Sequence, residues 1–285
     1  MFRRAKRQSG GPHKRLIRMS ATLEVLFAPA EFDALAGRDS SGTVCIVFDV
    51  LRATSTMVTA LGHGAAGIIP TLEIAEALRI REGRPEVLLA GERDGLRILA
   101  SQTGGIDFDL GNSPREFTRQ KVEGKTLAIT TTNGTRALRA CAAADKVLLG
   151  SFLNLRATAD FLAQAAPPRL LLVCSGTFEQ AGGEDVLGAG ALCELLWPHY
   201  ETGNVSDSAR MARRLYSLEQ DNLLAAVIQF RNGRRLSMRP ELREDVPYCL
   251  QRDVFTLIGE MSKDDGVVRK METGPPQPGL AIVPR

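Results

Sequence analysis

The order of apolar segments constrains this chain more than any other feature, because strand-like and helix-like runs alternate and the alternation occurs twice. Thr43 to Phe48 reads as a strand, Thr54 to His63 as a helix, Gly67 to Pro70 as a strand, Leu72 to Glu82 as a helix and Glu86 to Ala90 as a strand. From Lys125 the order returns: strand Thr126 to Thr130, helix Gly134 to Ala143, strand Lys146 to Leu149, helix Leu155 to Ala165 and strand Arg169 to Cys174. Such alternation builds a largely parallel sheet with helices on its faces. Polar residues coincide along with the rhythm. Val47-Phe48-Asp49 falls on Ile129-Thr130-Thr131, the Ala53 to Thr56 segment on Asn133-Gly134-Thr135, and the Leu89 to Glu92 segment on Val173 to Gly176, as in an internal duplication. The expected fold is therefore α/β: duplicated α/β units with a largely parallel or mixed sheet flanked by helices, and an active site between the two halves.

The halves are expected at 20–124 and 125–272, the second ending in helices at Asp185 to Trp197, Ser206 to Arg213 and Asn222 to Phe230. Leu23 to Phe27 reads as a further strand and Pro29 to Leu35 as a short helix, while Pro247 to Phe255 closes the fold. An extended tail, 273–285, carries Pro275, Pro276 and Pro278. Residues 1–19 form a basic extension, with seven Lys or Arg and no acid. Removing these seven from the 36 basic residues leaves 29 against 33 acids, a net −4. The extension lacks a signal peptide's apolar core and runs at Met19 into a strand-like segment, so we expect initiation at Met19 and give the extension no function. The acidic body argues against nucleic acid as a partner.

With 44% hydrophobic and 24% charged residues the chain is an ordinary globular composition. No apolar run approaches the roughly 20 residues of a membrane span. Five cysteines, odd in number and without a C-x-x-C pair, fit small buried hydrophobes in a reducing cytoplasm.

In a parallel α/β sheet, ligands collect beyond the carboxyl ends of strands, where helix N-termini present N–H groups to anions. FDVLRATST puts Asp49 at a strand end with Arg52, Thr54 and Ser55 beside a helix start. AGERDG adds Glu92 and Arg93, and FDLGNSP adds Asp109, Asn112 and Ser113 before Pro114, a residue suited to the first helical position. TTNGT contributes Thr132, Asn133 and Thr135, and CSGTFEQAGGED contributes Cys174, Ser175, Glu184 and Asp185. Carboxylates without a histidine cluster favour an oxygen-loving ion such as Mg²⁺ or Mn²⁺, which binds substrate phosphate through its open positions. Arginine's fork complements the anion. His63 reads as a helix-end residue, since it lacks the preceding arginine of histidine phosphatases.

Taken in order, FDVLRATST, AGERDG, FDLGNSP, TTNGT, CSGTFEQAGGED and the late DVPYCLQRD resemble the 2-phosphosulfolactate phosphatase family over Leu23 to Asp253. The resemblance implies Mg²⁺-dependent hydrolysis of (R)-2-phospho-3-sulfolactate to 3-sulfolactate and phosphate, a step linked to coenzyme M formation. Asp49, Glu184 and Asp185, then Glu92 and Asp109, are the expected metal or general-base carboxylates. Arg52, Arg93, Asn133 and Thr135 are expected to hold the substrate's anionic groups, together with Thr54, Ser55, Asn112, Ser113, Thr132 and Ser175. Three openings remain for the chemistry: water attack assisted by the metal, attack by Asp49, or, least favoured, attack by Cys174, whose loop offers no base or cation. The rival functions are a phosphatase of another small phosphorylated hydroxy acid and a non-catalytic anion- or nucleic-acid-binding protein. A homo-oligomer is the expected assembly.

Overall fold

The computed structural model describes residues 21–35 and 37–272; the basic extension and the proline-bearing tail lie outside the described residues. The strands are β1 (Thr22–Leu26), β2 (Thr43–Phe48), β3 (Gly67–Thr71), β4 (Leu88–Arg93), β5 (Leu96–Arg97), β6 (Thr126–Thr130), β7 (Lys146–Gly150), β8 (Arg169–Cys174), β9 (Asn204–Val205), β10 (Gly259–Met261) and β11 (Val268–Lys270). The helices are α1 (Ala53–Gly62), α2 (Ile74–Gly83), the single turns α3 (Ala100–Thr103) and α4 (Arg119–Val122), α5 (Gly134–Ala140), α6 (Leu155–Ala165), α7 (Gly183–Tyr200), α8 (Asp207–Glu219), α9 (Leu223–Val227), α10 (Arg231–Ser237) and α11 (Asp245–Cys249).

All the strands join one mixed sheet in the order β5-β4-β6-β3-β11-β10-β7-β2-β8-β1-β9. The two sequence units are interleaved in it. β6, the first strand of the second unit, lies parallel between β4 and β3 of the first. β2, the first strand of the first unit, lies parallel between β7 and β8 of the second. Each unit thus lends its opening strand, and the helix that follows, to the other. Between the two blocks sits the β10–β11 hairpin, antiparallel to β7 on one side and β3 on the other. Its strands are only three residues long, too short for a periodic signal, and sequence reading leaves it unassigned.

The long parallel strands read as continuous apolar runs because both faces are covered. Along β2, Val44, Ile46 and Phe48 enter a core with α6, α7 and α8, while Cys45 and Val47 enter a second core with α1 and α5. A smaller cluster under α2 closes the β4–β6 edge. β4 runs on to Arg93 instead of ending at Ala90, because Asp94-Gly95, with φ of 55° and 83°, turns it back into β5. Pro114 opens a 3₁₀ turn, and His63 caps the end of α1 with Nδ1 2.6 Å from the Phe117 carbonyl oxygen. No helix among the described residues is long and apolar enough to cross a membrane.

The hairpin's role as the seam predicts an asymmetry between neighbouring residues. Val268, fully buried opposite Ile68, should cost about 3 kcal/mol or more when replaced by Asp, and exposed Lys270→Ala about 0.5 kcal/mol or less, by urea denaturation.

Candidate active site

The exchange of opening strands brings the N-termini of α1 and α5 together, and the cleft lies there. It measures about 530 Å³ including its open mouth, and its walls include Asp49, Arg52, Glu92, Asn112, Thr131, Thr132, Asn133, Asn232 and Arg235. Asp49 follows β2 and is 7% exposed; its Oδ1 accepts from the Ala53 N–H at 3.0 Å. Gly134, first residue of α5, must be glycine here, since a Cβ would lie 2.5 Å from Ala53 Cβ and 2.6 Å from Asp49 Oδ2. Burial, with Glu92 and Glu184 nearby, pushes the Asp49 carboxyl up to about 6.

The duplication is visible in hydrogen bonds. Thr54 Oγ1 donates to the Asp49 carbonyl and accepts from the Asp49 N–H. Thr135 Oγ1 does the same for Thr131. Both threonines are fully buried, as is Ser55, which bonds the Val50 carbonyl and Ser151. These three expected substrate contacts shape the loops and do not line the cleft.

Two further carboxylates clamp the loops reciprocally. Glu92, at the end of β4, accepts from the Thr132 N–H at 2.9 Å, the Thr132 hydroxyl at 2.8 Å and the Gly95 N–H at 2.7 Å. Asp185, near the start of α7, accepts from the Val50 N–H at 2.7 Å, the Gly176 N–H at 3.0 Å and the Ser175 hydroxyl at 3.1 Å. Glu92, near the end of β4, and Asp185, beyond β8, each hold the loop after the opening strand of the other unit. Burial, then the charges of Glu184 and Asp49, push Asp185 well above the usual carboxylate range.

Arg52 is 3% exposed and donates to Asp245 Oδ2 at 2.7 Å and to the Gly95 carbonyl at 2.6 Å. Asp245 also accepts from the Ser113 hydroxyl at 2.6 Å. Asp245 belongs to the DVPYCLQRD segment, whose role sequence reading leaves open. Glu184 is 2% exposed; Asn232 donates to its Oε1 at 3.1 Å and Oε2 has no hydrogen-bond partner. Burial raises the Glu184 carboxyl, partly offset by Asn232 and by the Arg231 and Arg235 charges. Asn232 and Arg235, both on α10, are site residues that sequence reading missed. Their segment, RNGRRLSMRP, presents itself as a charged surface run.

Three expected residues lie elsewhere. Arg93 turns to the other side of its strand, donating to Thr130 Oγ1 at 3.0 Å, because neighbouring residues of a strand face opposite ways. Asp109 runs along β4, ion-paired with Arg81 at 2.9 Å and accepting from the Leu89 N–H at 2.7 Å. Cys174 is fully buried in the core, and burial with Asp185 nearby pushes its thiol well above the ordinary range, which disfavours the thiolate a nucleophile needs. All five cysteines are free and buried.

The fold and cleft define a class of α/β enzymes with an anion-sized, carboxylate-lined site at strand ends. A sequence model described as 2-phosphosulpholactate phosphatase matches residues 32–264. A protein of Caldanaerobacter subterraneus subsp. tengcongensis called a probable 2-phosphosulfolactate phosphatase is 35% identical over 84% of this chain and 95% of its own length. Proteins of Thermotoga petrophila and Clostridium acetobutylicum with the same description are 38% and 31% identical, over 75% and 77% of this chain and 86% and 90% of theirs. The chain belongs to the 2-phosphosulfolactate phosphatase family, and a phosphatase of that description is a phosphoric monoester hydrolase.

The raised Asp49 carboxyl carries a stability signature. An acid whose folded pKa lies above its unfolded value of 3.8 stabilises the fold most below pH 4 and loses that contribution as pH rises through about 6. Asp49→Asn should therefore raise the melting temperature at pH 8 in EDTA by roughly 2–6 °C, relative to wild type, and show no such gain at pH 4. Asp245→Ala strands a buried guanidinium and should cost about 3–5 kcal/mol in urea denaturation.

Proposed function

We propose that this protein hydrolyses (R)-2-phospho-3-sulfolactate to 3-sulfolactate and inorganic phosphate with Mg²⁺, in the cytoplasm, as a step of coenzyme M-type metabolism. The observation that carries the reading is the buried Asp49 at the floor of a polar cleft between two helix N-termini, in a chain that belongs to this family. The relatives' descriptions give the substrate.

The charge balance supports a cation. Asp49 and Glu92 line the cleft with Glu184 and Asp185 behind them, while Arg52 is already paired with Asp245. A substrate bearing phosphate, carboxylate and sulfonate adds anions to a site already acidic. Among the described residues no three His, Cys, Asp or Glu side chains gather as a ready cage, but Mg²⁺ commonly binds through one or two carboxylates, water and a phosphate. Asp49, with one oxygen against the cleft, and Glu184, whose Oε2 is buried and unpartnered, fit that mode as holders of the ion. Bound there, Mg²⁺ would neutralise charge on the phosphoryl oxygens.

The chain's own groups supply the rest. A carboxyl with a pKa of about 6 is mostly ionised at neutral pH, which suits Asp49 either to take the proton of a water that attacks phosphorus or to attack phosphorus itself. In both routes the ester P–O bond breaks and 3-sulfolactate leaves with its oxygen, protonated from solvent; in the second, water then cleaves the aspartyl phosphate to free phosphate and Asp49. The Ala53 N–H fixes its orientation. Glu92 fixes the Thr132 backbone, and so the Thr132-Asn133 turn that faces the phosphoryl group. The Asn133 side chain caps no helix N–H and is available to the substrate.

Phosphate release from 2-phospho-3-sulfolactate and from 2-phospholactate tests the reading. Release should require Mg²⁺, stop with EDTA, favour the sulfonate and fall by roughly 10³-fold or more in Asp49→Asn. Release from the phospholactate alone would move the protein to another phosphorylated hydroxy acid, and release from neither would sink the assignment. With Asp49 needed as the anion, kcat/KM should decline towards acid pH, at a point that bound Mg²⁺ moves below the metal-free value of about 6.

A further inference from the structure

Two arginines line the cleft, and they are in different states. Arg52 is buried and its charge is spent on Asp245. Arg235 makes no ion pair among the described residues; one Nη2 donates to Asn232 Oδ1 at 3.2 Å, and its guanidinium lies 5.8 Å from the ring centre of Phe178. Phe178 is 55% exposed and stands at the rim, while Asp49 is 7% exposed at the floor. A Cβ on Gly95, a buried residue of the β4–β5 turn that also lines the cleft, would lie 3.9 Å from the Arg235 Nη2, so the guanidinium reaches that turn. Asn232 fixes it from behind, anchored in turn to the Leu51 carbonyl at 2.7 Å and to Glu184.

We propose that Arg235 is the specificity-determining residue that receives the sulfonate of the substrate. The assignment rests on the reaction proposed above. With phosphorus at Asp49, the far end of a three-carbon substrate points to the rim, where Arg235 is, of the two cleft-lining arginines, the one without an ion pair; Arg239, outside the cleft lining, is held by the Asp94 carbonyl at 3.1 Å. Chemistry divides the anions in the same way. A hard divalent ion prefers phosphate and carboxylate oxygens, and a weakly basic sulfonate is a poor ligand for it. Three tetrahedral oxygens with delocalised charge suit the several N–H donors of a weakly hydrated guanidinium. Asn232 is then a positioning residue, setting the guanidinium by its Oδ1.

The test is the ratio of kcat/KM for 2-phospho-3-sulfolactate over 2-phospholactate in wild type, Arg235→Lys and Arg235→Gln. Arg235→Gln should lower that ratio roughly 100-fold, mainly through KM for the sulfonate, and Arg235→Lys should recover part of it. An unchanged ratio, with both substrates losing equally, would overturn the assignment, since a merely structural residue acts on both alike. Calorimetric binding of 3-sulfolactate against lactate needs no turnover and separates this claim from the reaction. A protein that releases no phosphate yet binds 3-sulfolactate through Arg235 keeps the sulfonate site and loses the reaction. A protein whose preference for 3-sulfolactate survives Arg235→Gln loses the sulfonate site.

Discussion

Two buried carboxylates, Glu92 and Asp185, tie the two sequence units to each other, and the shape of the cleft depends on them. Glu92 near the end of β4 and Asp185 beyond β8 each accept a backbone N–H bond from the loop after the opening strand of the other unit, Thr132 for Glu92 and Val50 for Asp185. Each carboxyl accepts three hydrogen bonds in all, and inside a low-dielectric site a network of that kind fixes loop positions closely. The strand exchange makes them possible. With β2 between β7 and β8, and β6 between β3 and β4, the turns at Asp49 and at Thr131 meet across the cleft. Gly134 against Asp49 and Ala53 measures how close that meeting is.

The same arrangement stores charge. Asp49, Glu184 and Asp185 are each buried, and loss of water raises each carboxyl; nearby acids add to the rise at Asp49 and Asp185, while Asn232, Arg231 and Arg235 offset it at Glu184. Such crowding costs stability and is found where a site must meet a cation or move a proton. The cations nearby are divided between structure and ligand. Arg52 belongs to the Asp245–Ser113 knot that holds α11 to the cleft wall, and Arg235 keeps its charge at the mouth.

Much of the fold was legible because buried parallel strands announce themselves. Thr43 to Phe48, Thr126 to Thr130 and Arg169 to Cys174 stand as read, and so does helix Leu155 to Ala165. The interleaving was not legible, since the order of elements along the chain is the same whether units keep or exchange their first strands. At the site, Asp49 and Glu92 were found from their place at strand ends. Sequence could not tell that Glu92 faces the cleft and Arg93 the other way until the strand was known to continue through both. Asp109 misled because its loop runs back along β4 to the level of Leu89, well below the strand end. Asn232 and Arg235 come from a short helix far along the chain, and only tertiary structure puts them beside Glu184.

Diffraction from crystals grown with Mn²⁺ and 3-sulfolactate plus phosphate, measured at the manganese edge, would test the central claim most directly. An anomalous peak beside the Asp49 carboxylate, with phosphate between it and the Thr132-Asn133 turn, is the predicted result. Ion and phosphate bound away from Asp49, for example at the opposite end of β2 in the pocket lined by Cys45 and Cys141, would contradict it.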